Sequence, residues 1–123
     1  MALRTVLDTN AILYFLGGRL AQPLPRAEYL TSIICEIELL SYPVLDATAL
    51  KQVRSFLSEI RVVPLTEPVK EATIDLRKAH GLKIPDAIVA ATARTASALL
   101  LTNDVHLLRL PGINAQSLTL KRP

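Results

Sequence analysis

Hydrophobic residues fall along the chain in short runs that alternate with longer helical periodicities. The run from Leu3 to Leu7 is apolar-rich and stops at Asp8, which predicts a buried strand followed by a loop or helix start. Ala11 to Leu16 predicts a helix stopped by Gly17-Gly18. Gln22-Pro23-Leu24-Pro25 is turn-rich. Leu30 to Ile34 predicts a second strand, and Glu36 to Leu40 a helix that Pro43 ends. From Asp46 to Ile60, the positions Leu50, Val53, Phe56, Leu57 and Ile60 recur at spacings of three and four, the mark of one apolar helical face, with Asp46 placed to cap it. Arg61 to Leu65 predicts a third strand. Thr66 opens a helix over Glu67 to His80 that Gly81 closes. Pro85 opens an Ala-rich helix to about Ala98. Leu99 to Thr102 predicts a fourth strand, Val105 to Leu110 a helical turn, and Ile113 to Leu118 a last strand.

Strands alternating with helices predict an α/β fold, with a central, mostly parallel sheet covered by helices on both faces. The strand runs are short and nearly all apolar, as strands buried on both faces should be. In such sheets ligands bind beyond the carboxyl ends of the strands. At 123 residues the chain is read as a single domain, 1–123.

Composition narrows the chemistry. Half of the residues are hydrophobic and a fifth charged, which excludes a disordered chain. Aromatics make up 4% and Trp is absent, which argues against binding bases on stacked aromatic platforms. The lone Cys35 excludes an internal disulfide and a multi-cysteine zinc site; it reads as a small core residue. Arg4 and Asp8 interrupt any signal-peptide core, and no run reaches the roughly 18 apolar residues of a membrane span. A cytoplasmic location without membrane attachment is expected.

Four acids stand where that architecture places ligands. Asp8 follows the first strand, Glu38 lies in the helix after the second, Asp86 sits in the first turn after Pro85, and Asp104 comes two residues after the fourth strand. Each has an ordinary explanation taken singly: Asp8 as a helix cap, Asp86 as an acid at the favourable end of a helix dipole, Asp104 as a turn residue, Glu38 as a solvated helix residue. Together they carry more. Two carboxylates about 4 Å apart repel by roughly 4 kcal/mol at an effective dielectric near 20. Several in one crevice need a cation or must partly protonate. An all-oxygen set suits magnesium or manganese, and His80 and His106 supply no zinc motif. Periodicity alone leaves Glu36 and Glu38 as alternatives, since residues two apart point about 200° from each other on a helix.

With these residues in place, the chain resembles PIN-domain proteins, and among them the VapC-type toxins of toxin–antitoxin pairs. The resemblance spans nearly the whole chain. "VLDTNAIL", "TSIICEIELLSY", "KIPDAIVAATA" and "LLLTNDVHL" are similar to the family's four motifs and stand in the family's order. The second selects Glu38, because its Glu-Leu pair falls at Glu38-Leu39. Cys35 stands where a Thr is common, the segment from Gly18 to Thr31 is short for the family, and Asn103 neighbours the last acid and is a candidate to share its role.

The resemblance implies a three-layer α/β/α sandwich and a metal-dependent endoribonuclease. Asp8, Glu38, Asp86 and Asp104 would be the catalytic residues, holding Mg2+ or Mn2+. A metal-activated water would attack the scissile phosphate in line and leave 5′-phosphate and 3′-hydroxyl ends. Thr9, Asn10 and Thr102 would orient the carboxylates. Lys83 is the candidate substrate contact. A homodimer and a small antitoxin partner would follow. The alternatives are a PIN-like RNA-processing nuclease without an antitoxin, and an inactive domain that binds metal and a partner. A receiver-like regulatory domain is disfavoured, because "LDTN" has one acid and "VVPLTEP" lacks an Asp after the third strand. A phosphatase-type acidic pair is missing too, since Asn10 takes its second place.

Charge agrees moderately with an RNA substrate. The net charge is +3, and setting the four acids aside leaves 7 of the 11 acidic residues against 14 basic ones. Lys51, Arg54, Arg77, Lys78 and Arg94 read equally well as solvated helix faces. His80 precedes a helix-terminal Gly, where a cation meets the dipole favourably, and His106 follows the fourth acid by two residues; both read first as structural.

Overall fold

A computed structural model describes residues 3–123. Five parallel strands form one sheet: β1 (Arg4–Leu7), β2 (Glu28–Ser32), β3 (Arg61–Val63), β4 (Leu99–Leu101) and β5 (Ala115–Gln116). Their spatial order is β3-β2-β1-β4-β5. The helices are α1 (Thr9–Leu16), α2 (Ile33–Leu40), α3 (Ala47–Glu59), α4 (Glu67–His80), α5 (Ile84–Thr95) and the single turn α6 (Val105–Leu108).

Alternation along the strands divides the core into two apolar layers. Val6 and Leu100 face the layer built by Val69, Ala72 and Leu76 of α4 and the alanines of α5. Leu7, Leu99 and Leu101 face the other, built by Ala11 and Ile12 of α1 and Val53 and Leu57 of α3. Helix α2 contributes to both, Cys35 to the first and Leu39 to the second. The expected α/β/α sandwich is therefore present. Chain order leaves β1 in both directions, and the switch lies between β1 and β4, where a doubly wound sheet opens a crevice at its carboxyl edge.

Several boundaries differ from expectation for local reasons. Helix α1 begins at Thr9, because Asp8 caps it by accepting from the Ala11 amide at 2.8 Å. The second strand ends at Ser32, two residues short of expectation. The Ser32 hydroxyl accepts from the Ile34 amide at 3.1 Å and starts α2 at Ile33, overriding the β preference of two isoleucines. Strand β3 stops before Pro64, which has no amide to continue a ladder. Helix α5 ends at Thr95, where Ser97 turns to a φ of 50° and the Ala98 amide returns to the Ala93 carbonyl at 2.9 Å. The last strand keeps two residues of the expected six.

Candidate active site

The site begins with two strand ends brought side by side. Leu7 pairs with Leu101 in the β1–β4 ladder, so the residues that follow, Asp8 and Thr102, lie together at the carboxyl edge. Both are buried, Asp8 at 9% exposure and Thr102 at 0%. The Thr102 hydroxyl accepts from the Asp104 amide at 3.0 Å and lies beside the Asp8 carboxylate, whose charged form it favours. One hydroxyl therefore ties the first acid to the loop that carries the fourth. Asp104 in turn caps α6 through Oδ1, which accepts from the His106 amide at 2.8 Å and the Leu107 amide at 3.4 Å. The ordinary cap reading holds for Asp8 and Asp104 alike, and it is compatible with their shared location.

Glu38 reaches the same place from α2. Its Oε1 accepts from the Thr9 hydroxyl at 2.7 Å. It acts electrostatically on both Asp8 and Asp86. Geometry thus selects Glu38 over Glu36, which has no side-chain bond to the site among the described residues. Asp86, half-buried in the first turn of α5, feels Asp104 and Glu38 as like charges and Lys83 and His106 as opposite ones.

Both central acids are held above the ordinary carboxylate value of 3.8. For Asp8, burial is the main cause. Hydrogen bonds from Thr102 and Ala11 oppose it, and the charges of Asp104 and Glu38 add to it. For Asp86, burial again leads, followed by Asp104 and Glu38, with Lys83 and His106 pulling the other way. Like charges accumulate here without full compensation by protein groups. Among the described residues, however, no three of the acid, histidine and cysteine side chains stand close enough to enclose an ion as placed. The four acids form an open array, not the closed cluster expected. Their donor set, all carboxylate oxygens, suits a hard divalent cation in chemistry.

The supporting residues divide. Thr9 bonds to the Glu38 carboxylate, and Thr102 lies beside Asp8 and bonds to the Asp104 amide. Asn10 does not: it is exposed and bonds to none of the four acids among the described residues. It lies about 100° further round α1 than Thr9, which turns it away from Glu38. Asn103 shares no role with Asp104 here, because its amide is engaged at both ends by Leu118: Nδ2 donates to the carbonyl at 3.1 Å and Oδ1 accepts from the amide at 2.7 Å.

Two contributors escaped the sequence reading. The buried Thr31 hydroxyl donates to the Leu7 carbonyl at 2.7 Å, fixing the end of β1 just before Asp8. A polar pair, Thr31-Ser32, closing an apolar strand was the available signal. Cys35, fully buried, lies beneath the acids against the Thr9 and Thr31 hydroxyls. Burial raises its thiol pKa, those hydroxyls oppose the rise, and Asp8 and Glu38 reinforce it.

A sequence profile of the PIN domain matches residues 5–113. The chain belongs to the PIN domain family. No curated protein matches the sequence significantly. Among solved structures, this PIN domain is similar to a toxin–antitoxin complex from Klebsiella pneumoniae, at 26% identity over 89% of this chain and 94% of that one, with a TM-score of 0.72. It shares the fold of VapBC2 from Rickettsia felis, bound to a DNA fragment from its promoter (20% identity, 94% of this chain and 98% of that one, TM-score 0.73). DNA-bound VapBC from Salmonella typhimurium gives 22% identity, the same coverages and a TM-score of 0.73. PIN domains are nucleases that generally use divalent metals. No helix among the described residues is long and apolar enough to cross a membrane.

Proposed function

We propose that this PIN domain is a magnesium- or manganese-dependent endoribonuclease and the toxin of a toxin–antitoxin pair. The observation that carries the reading is the placement of Asp8, Glu38, Asp86 and Asp104 as an open array at the carboxyl edge of the sheet, with Asp8 and Asp86 both raised by burial and by the charges of Glu38 and Asp104. Charge left uncompensated by the protein calls for a cation from outside it. A divalent ion held by these four acids supplies Lewis acidity at a phosphate and a bound water of lowered pKa.

The chain's own residues prepare that place. Ala11 holds Asp8, Thr9 holds Glu38, and Thr102 fixes the loop that presents Asp104. Lys83, beside Asp86 and exposed, is positioned to meet a substrate phosphate. An antitoxin partner is supported by the 26%-identical toxin–antitoxin complex and by exposed apolar residues on and after α1 and α2: Phe15, Ile37, Tyr42 and Val44. A homodimer and a cytoplasmic location belong to the same reading.

The test is cleavage of a panel of structured and single-stranded RNAs by purified protein, with magnesium, manganese or chelator, beside Asp8→Asn and Asp86→Asn. Metal-dependent cutting lost in both variants is expected. Cutting that persists in both, or that ignores chelator, refutes the assignment.

A further inference from the structure

The loop that carries Asp104 is tied to a segment far from the acids in sequence. In the β4–β5 ladder the Leu100 amide donates to the Asn114 carbonyl at 2.8 Å, and the Thr102 amide to the Gln116 carbonyl at 3.0 Å. The backbone then leaves the ladder, because Asp104 turns to cap α6. The Asn103 side chain supplies the next rung. Its Nδ2 donates to the Leu118 carbonyl at 3.1 Å and its Oδ1 accepts from the Leu118 amide at 2.7 Å, as a paired residue on a neighbouring strand would.

Segment 117–121 lies past the residues matched by the PIN profile and forms a strap with both edges in use. One edge meets Asn103. The other meets the stretch after α1. There the Ala21 amide donates to the Thr119 carbonyl at 2.9 Å and the Lys121 amide to the Arg19 carbonyl at 2.8 Å, with Leu20 and Leu120 bridged antiparallel between them. The strap therefore joins the far end of α1, whose first turn carries Asp8 and Thr9, to the loop of Asp104.

We propose that Asn103 is a positioning residue: its two bonds to Leu118 let the strap hold the loop that presents Asp104 to the acid array. What the array does rests on the nuclease reading, whereas the coupling of strap to loop does not.

Local bonds do not make this tie redundant. The Thr102 hydroxyl and the Asp104 carboxylate set the internal shape of the loop and the start of α6. They reach nothing beyond residue 107, so the position of the loop against the strap falls to Asn103. Among the described residues, no other Asn or Gln side chain is hydrogen-bonded within the protein. One amide that both donates to and accepts from the same residue fixes distance and orientation together. Packing supports the strap only in part. A cavity of about 230 Å³ runs beside it, with Leu20, Leu24, Leu101 and Leu118 in its wall, and Ser117, Thr119 and Lys121 are exposed. Hydrogen bonds carry the placement.

The test is made on full-length protein, first by amide hydrogen exchange in metal-free buffer. In Asn103→Ala the amides of Asp104, His106, Leu107 and Leu108 should exchange about tenfold faster or more, through local opening. Leu118→Pro removes the amide that donates to Asn103 and leaves the loop sequence intact. It should accelerate the same amides, and it carries the test if Asn103→Ala fails to fold. The control Val69→Ala weakens the buried layer under α4 and should leave these amides within about twofold. The second readout is RNA cleavage at saturating manganese, below every variant's melting temperature. For Asn103→Ala, kcat should fall about 10- to 100-fold with KM within about twofold, whereas Val69→Ala keeps both within about twofold. Loop amides unmoved in Asn103→Ala and Leu118→Pro, or moved as much by Val69→Ala, overturn the coupling. Faster exchange with kcat unchanged overturns the positioning role. No cleavage by the unaltered protein under any metal refutes the nuclease reading, and faster exchange then still upholds the coupling.

Discussion

The two ends of the central strands treat charge in opposite ways. At the amino end, Arg4 of β1 faces Glu28 of β2 across the ladder, at 3.6 Å, with each side chain about half exposed. Opposite signs meet there in water, and little energy is at stake. At the carboxyl end of the same strands, Asp8 is buried near Glu38 and Asp104, both of its own sign. Folding alone would not retain that arrangement, because burial and repulsion both penalise it. The hydroxyls show the same contrast. Thr5, mid-strand and fully buried, leaves its Oγ1 without a partner, whereas Thr102 and Thr31 at the carboxyl edge are bonded. Polar groups are organised where the strands end, the edge at which parallel sheets of this kind bind ligands.

The largest break in this comparison is Asp8→Asn. Asn still accepts from the Ala11 amide, so the cap and the fold should survive. Nuclease activity should fall by at least about a hundredfold, the upper range for supporting residues around a metal, as read from initial cleavage rates at matched folding. Next is Thr102→Val, which keeps the shape and removes the hydroxyl. It leaves the Asp104 amide without its acceptor and removes a hydroxyl beside the buried Asp8 carboxylate, and should cost about 1–3 kcal/mol in urea denaturation, with activity down about 10- to 100-fold.

Asp86→Asn sharpens the comparison through pH. The Asp86 pKa is raised in the folded state above 3.8, so the folded protein binds more protons than the unfolded one between those two values. Its favourable contribution is complete below 3.8 and lost as pH rises through the folded value. In metal-free buffer the variant should therefore melt higher than the parent at neutral pH, and the gap should close on acidification toward 3.8. A gap independent of pH would refute the electrostatic cause. The smallest effect is Arg4→Ala, expected to change stability by less than about 1 kcal/mol, since exposed ion pairs contribute little.

Much of this was legible in the sequence, and the failures are physically instructive. Asp8, Glu38, Asp86 and Asp104 follow from strand ends and helix starts, because a parallel sheet sends every strand's carboxyl end to the same edge. Glu38 against Glu36 needed the family resemblance, and the Thr9 bond then places it. Asn10 and Asn103 misled because their partners are set by helical phase and by a segment fifteen residues away at Leu118, which no local pattern records. Ser32 decided the β2–α2 boundary through one capping bond. His106 read first as structural, yet it is exposed and acts on Asp86, a relation made only when α6 folds beside α5.

Whether the four carboxylates act together as one cation site is read most directly from thermal unfolding with manganese, in the parent, Asp8→Asn and Asp86→Asn. Binding to the folded state alone should stabilise the parent by about 2.7 kcal/mol at a hundredfold excess over Kd. Both variants should lose most of that gain, each measured from its own metal-free melting temperature, which for Asp86→Asn lies above the parent's at neutral pH. A parent melting temperature indifferent to manganese, or an equal rise in all three proteins, would contradict a cation site at the carboxyl edge.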